Sequence, residues 1–138
     1  MKKTYHGSCH CGAVTFEADI DLIKGTTRCN CSICAKTRAW FVIIEADAFR
    51  LIKGTDAQSD YQWTPPGKTK PRLHYRFCTT CGVRAFAQGQ QEESGGSFYA
   101  IAVAALDDAD SNELAMSIKY VDGRHDHYDR APEDTRVM

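Results

Sequence analysis

The sequence predicts an all-β dominated domain with little helix, and three observations carry that expectation. Short runs of β-forming residues recur at close intervals, with glycine and proline between them. Helical periodicity is scarce along the 138 residues. The 7 cysteines stand in three tight clusters, as they do in folds that lean on a metal as well as on a hydrophobic core.

Taken in order, the N-terminal segment is expected as a strand. The period of two would then put Cys9 and Cys11 on one face, with both sulfurs aimed at one point. Ala13 to Ala18 alternates like a half-buried strand, and Trp40 to Ile44 is a short apolar run rich in β-formers. Phe49 to Ile52 ends at Lys53-Gly54, a turn signal before a further strand near Tyr61-Gln62-Trp63. Thr64-Pro65-Pro66-Gly67 forbids regular structure and marks a loop. Leu73 to Phe77 leads as a strand into Cys78, and Val83 to Ala87 leads out of the turn that follows. Gln88 to Ser97, with Gly89, Gly95 and Gly96, reads as a polar loop, and Phe98 to Val103 as a buried strand. Helix is confined to one turn over Ser32 to Arg38, with serine as its cap, and a short turn within Asp107 to Met116. From Asp122 onward the chain is polar and expected to be exposed, His125 and His127 included.

No repeat, low-complexity tract or linker interrupts the chain, so residues 1–138 are expected as one domain. Lys and Arg number 17 against 18 acids, a balance with no electrostatic footprint for nucleic acid or an anionic membrane. The longest apolar run, Phe98 to Leu106, is far shorter than the roughly 20 residues needed to cross a bilayer. Met1 to His6 leads into a polar segment without an apolar stretch, so no secretory signal is expected. A reducing, cytoplasmic setting is.

In that setting clustered cysteine reads as metal binding or catalysis. Cys78-Thr79-Thr80-Cys81-Gly82 has zinc-knuckle spacing, with glycine placed where the turn needs positive φ. Together with Cys9 and Cys11 it supplies four thiolates, a closed shell that suits a structural zinc stapling the N-terminal strand to the middle of the chain. Cys29, Cys31 and Cys34 remain: three thiolates in six residues with no obvious fourth. Three protein ligands and one exchangeable position is how catalytic zinc is held. A second structural zinc completed by histidine, or reactive thiols without metal, stay open as readings of the trio.

The segments Gly7-Ser8-Cys9-His10-Cys11-Gly12-Ala13-Val14, Cys29-Asn30-Cys31-Ser32-Ile33-Cys34 and Phe77-Cys78-Thr79-Thr80-Cys81-Gly82 resemble the glutathione-dependent formaldehyde-activating enzyme family. The likeness runs over about residues 5–128, with Ala104-Ala105-Leu106-Asp107-Asp108 similar to a later strand-and-turn segment. It implies a β-tent fold of coiled antiparallel sheets, a structural zinc on Cys9, Cys11, Cys78 and Cys81, and a catalytic site at Cys29, Cys31 and Cys34. It also implies a carbon–sulfur lyase joining glutathione to formaldehyde. Two departures stand out: the chain is shorter than the founding enzymes, and Tyr120 to Tyr128 lacks a tryptophan frequent in relatives.

Three thiolates make zinc a mild Lewis acid, better suited to holding a further thiol as thiolate than to generating hydroxide. The expected substrate is therefore a small thiol such as glutathione with a small electrophile. Arg28, Lys36 and Arg38 flank the trio and are candidates for its carboxylates. His10 is expected outside the ligand set, and Trp40 and Phe41 in the core. Two alternatives carry different expectations: a non-enzymatic zinc-stabilised binding module has a single tightly held ion, and a redox or metal-buffering protein has labile metal and oxidisable thiols.

Overall fold

The computed structural model describes residues 1–91 and 95–138. Its strands are β1 (Lys3–Ser8), β2 (Thr15–Ile20), β3 (Thr26–Cys29), β4 (Trp40–Glu45), β5 (Phe49–Lys53), β6 (Gln58–Gln62), β7 (Leu73–Cys78), β8 (Phe86–Gln90), β9 (Ser97–Ala102) and β10 (Ile118–Val121). Two short helices join them, α1 (Ser32–Thr37) after β3 and α2 (Ser111–Ala115) before β10. The strands make a three-stranded sheet ordered β1-β2-β5 and a seven-stranded sheet ordered β10-β3-β4-β9-β8-β7-β6. Strand-dominated, antiparallel architecture is thus what forms. The exception is β10, which runs parallel to β3 with Val121 opposite Cys29.

The alternation in β2 works as the sequence demands, burying Phe16, Ala18 and Ile20. Those side chains meet an aromatic cluster drawn from both sheets. Phe49 of β5 stacks on Tyr99 of β9 at 4.0 Å between centroids, and lies 4.7 Å from Phe86 of β8 and 5.6 Å from Phe16. Each ring adds dispersion and offset-stacking energy to its buried area, so this cluster is the main adhesive between the sheets. Gly7 lets Phe16 lie across β1, because a Cβ there would come within 2.2 Å of the ring. Asp110 caps α2 in a reciprocal box with Glu113, placing the helix inside the expected 107–116 window.

Several expectations are corrected. Cys9 and Cys11 lie in the turn after β1, not on a strand face. β6 sits earlier than Tyr61–Trp63, and β8 starts three residues later than Val83. Gly89 belongs to β8, not to a loop: a Cβ there would stand 2.5 Å from Leu73 Cδ2 and 2.9 Å from Phe98 Cζ. Close packing, not a turn, demands that glycine. Residues 92–94 of the expected loop lie outside the described residues. Cys31, not Ser32, occupies the cap position of α1, and no side-chain bond caps that helix. The polar tail is not all exposed either, since Asp122 retains only 8% of its accessible surface.

Candidate metal centres

Two knuckles of the same design build the first cluster. In each, the first cysteine's N–H donates to a carbonyl five residues on: Cys9 to Val14 and Cys78 to Val83, both at 3.0 Å. In each, a glycine N–H donates back to the first cysteine's carbonyl, from Gly12 at φ 81° and Gly82 at φ 75°. The turns face one another, so Cys9 and Cys11 Sγ are 3.7 Å apart and Cys11 and Cys78 Sγ 3.6 Å apart. All four sulfurs, Cys81 included, lie within 4.8 Å of one another. Tetrahedral zinc with bonds of about 2.3 Å needs sulfurs about 3.8 Å apart, so the set fits that ion. Backbone N–H groups are already aimed at the sulfurs, from Val14 to Cys9 at 3.3 Å and from Thr80 to Cys78 at 3.4 Å. The N–H groups of Cys81 and Thr80 hold the Cys78 thiol below its usual range, and those of Val83 and Cys11 bring Cys81 to about 6. The Cys78–Cys81 turn thus favours thiolates, whereas at Cys11 the lowering by the Ala13 N–H is outweighed by burial and the three neighbouring thiols, which raise it to about 11.

The second cluster is assembled on one turn of chain. Cys29 ends β3, Cys31 sits at the cap of α1 and Cys34 lies within it, with the three sulfurs inside 4.8 Å. Hydrogen bonds from the Cys29 and Cys34 thiols push Cys31 down to about 3, while hydrogen bonds with Cys29 and Cys31, and then burial, push Cys34 up. One negative sulfur braced by two protons is a site where a cation can take the protons' place. Three sulfurs fit three corners of a zinc tetrahedron. Among the described residues no histidine or carboxylate joins them. His125 Nδ1 bonds Asp122 at 2.8 Å, His127 Nε2 accepts from Arg130 at 2.8 Å, and His10 is exposed in its turn.

The two clusters differ in what lies beside them. The trio lines a cavity of about 1570 Å³ against the seven-stranded sheet, and the quartet cysteines do not. Trp40 and Phe41, expected in the core, are half-buried and stand on its wall, and Trp40 Nε1 donates to Thr26 Oγ1 at 2.7 Å. Eight of the chain's 17 Lys and Arg line this cavity, against one of its 18 acids, Asp126, among the described residues. That segregation is invisible in a net charge of -1.

A family model, that of the glutathione-dependent formaldehyde-activating enzyme (GFA), matches residues 4–122. The chain belongs to this family. A Halomonas elongata protein carrying the same family name is 38% identical over 79 residues, which are 54% of this chain and 50% of that one. This GFA chain therefore spans about half the length of that curated relative. A Rhodobacter sphaeroides protein of known crystal structure superposes with a TM-score of 0.67 at 25% identity, over 84% of this chain and 99% of that one.

Within this GFA chain, the candidate residues Arg28 and Arg38 line the cavity, whereas Lys36 is exposed on α1 and lines neither that cavity nor the smaller one behind the trio. Arg124 stands at the rim of both. Sequence reasoning also missed Gly123. A Cβ on it would lie 2.4 Å from Cys29 Sγ and 3.3 Å from Cys31 Cβ, so only glycine lets the turn Gly123–His125 press against the trio. Gly123→Ala is expected to cost about 1–3 kcal/mol by overpacking and to displace Cys29. Thermal unfolding with metal analysis checks this, the expected result being a folded protein that keeps the quartet's metal and loses the trio's.

Proposed function

We propose that this protein is a zinc-dependent enzyme that forms and cleaves a carbon–sulfur bond in the adduct of a small thiol with a small aldehyde, glutathione with formaldehyde foremost. The observation that carries this reading is that the trio's three sulfurs line a large cavity while the quartet's four turn on one another. Family membership supports the choice of thiol and aldehyde. A cavity of about 1570 Å³ is far more than an aldehyde needs and exceeds the usual range for small ligands, roughly 300–1,000 Å³, so it has room for the whole thiol carrier. The β-tent arrangement and a reducing, cytoplasmic setting belong to the same proposal. No described helix is long and apolar enough to cross a membrane.

Zinc on Cys29, Cys31 and Cys34 would supply the charge that holds an incoming thiol as a nucleophilic thiolate. The reaction balances without an oxidant. A sulfur lone pair forms the carbon–sulfur bond, the carbonyl π pair moves to oxygen, and the proton lost by the thiol returns to that oxygen. Orientation is the chain's own work. Arg28 and Arg38 receive carboxylates of the thiol, and Trp40 and Phe41 keep water from one wall. Burial first, then the charge of Cys34 and Cys31, raises the Tyr75 phenol well above its ordinary value. Tyr75 therefore stays protonated at neutral pH and offers an O–H donor on the cavity wall.

Protein purified without added zinc or chelator is expected to hold about two zinc ions per chain. A mild chelator is expected to remove one first, and conversion of glutathione and formaldehyde, followed by NMR, to stop with that loss. A single tightly held ion and no conversion would mark the non-enzymatic module instead.

A further inference from the structure

Arg28, Arg38 and Arg124 line both the large cavity and the smaller one behind the trio. Among the described residues none of them is ion-paired, whereas Arg50 holds Glu17 and Asp19 and Arg136 holds Asp134. Each is fixed by an uncharged partner. The Arg28 guanidinium lies 4.8 Å from the centre of the Trp40 ring, and Arg38 Nη1 donates to the Val137 carbonyl at 2.7 Å. Arg124 is the most constrained. Its backbone N–H donates to Asn30 Oδ1 at 2.9 Å and its Nε to the Asn30 carbonyl at 3.2 Å. Asn30 is locked in turn, because its Nδ2 donates to the buried Asp122 at 2.9 Å.

Asn30 sits between Cys29 and Cys31, so one amide fixes both the cysteine loop and the arginine beside it. With Nε occupied, the two Nη groups of Arg124 have no partner among the described residues and form a preset fork at the cavity rim. Such a fork matches an oxyanion bidentately at small entropic cost. We propose that Arg124, positioned by Asn30, is the residue that selects thiols carrying a carboxylate over neutral ones, with Arg28 and Arg38 completing a three-arginine cradle around the cysteine trio. This rests on the reading of the trio as the place where the thiol is held.

Three thiols of matched length separate charge from sulfur: 3-mercaptopropionate, 2-mercaptoethanol and cysteamine. Each is titrated calorimetrically into the zinc-loaded full chain. The wild type is expected to bind them in that order of affinity. Arg124→Gln is expected to weaken 3-mercaptopropionate about tenfold or more, as loss of a charge-assisted pair does, while leaving 2-mercaptoethanol unchanged. Arg124→Lys, which keeps the charge but not the fork, is expected to fall between. Equal affinity of the wild type for the anionic and neutral thiols overturns the proposal, and so does an equal loss for both thiols in Arg124→Gln. The wild-type comparison needs no variant, so a misfolded mutant cannot hide the answer. Charge selection without conversion of glutathione and formaldehyde would leave the cradle standing and remove the proposed reaction instead.

Discussion

Cys78→Ser is expected to leave little folded protein. Its sulfur is buried and within 3.6 Å of Cys11, so serine would withdraw one of four ligands from a centre that has no substitute ligand among the described residues. The knuckles follow β1 and β7, which belong to different sheets, so the ion would rivet one sheet to the other. Apparent binding energies of structural zinc run to about 10–16 kcal/mol in small zinc domains, as much as the whole stability of an ordinary domain, about 5–15 kcal/mol. The hydrophobic core, with the aromatic cluster of Phe16, Phe49, Phe86 and Tyr99 at its centre, would have to hold the sheets without the metal. Soluble yield, zinc content and thermal unfolding check this. A variant that melts within a few degrees of the wild type and keeps its metal would show that the quartet is ornamental.

Cys31→Ser is expected to act in the opposite sense, lowering conversion of the formaldehyde–thiol adduct by at least about a hundredfold, the scale seen when a group aimed at the reacting centre is removed. Its thiol is the most acidic of the trio, held at about 3 by the two neighbouring thiols, and it is half-buried at a helix cap outside the packed core. The melting temperature should therefore move little, and the metal count should fall from about two to about one. Turnover, calorimetric melting and metal analysis on one preparation distinguish the two cysteine sets. Undiminished turnover in this variant would remove the trio from the chemistry.

The grouping of the sulfurs into four and three was legible from spacing, because short turns bring neighbouring cysteines together locally. The strands β2, β4, β5, β7 and β9 were legible for a similar reason, since each carries a local run or alternation of apolar, β-forming residues. β3 and β10 are four residues each, Thr-Thr-Arg-Cys and Ile-Lys-Tyr-Val, too short for a pattern. Their pairing nevertheless brings Asp122, Gly123 and Arg124 to the trio. Nothing in an isolated Asn30 or Gly123 announces a partner 92 residues away. Gly89 misled for a related reason: a glycine needed to admit Leu73 and Phe98 looks the same in sequence as one needed for a turn.

The parallel pairing of β10 with β3 also bears on how the molecule is made. The knuckle cysteines and every strand through β9 are complete before the segment Ile118–Val121 exists as chain. During synthesis the acidic Cys31 thiol would stand uncovered until that last strand docks, because such distant contacts close slowly. The nascent chain therefore passes through an interval in which Cys29, Cys31 and Cys34 lack the Asp122–Arg124 turn that packs against them in the finished fold.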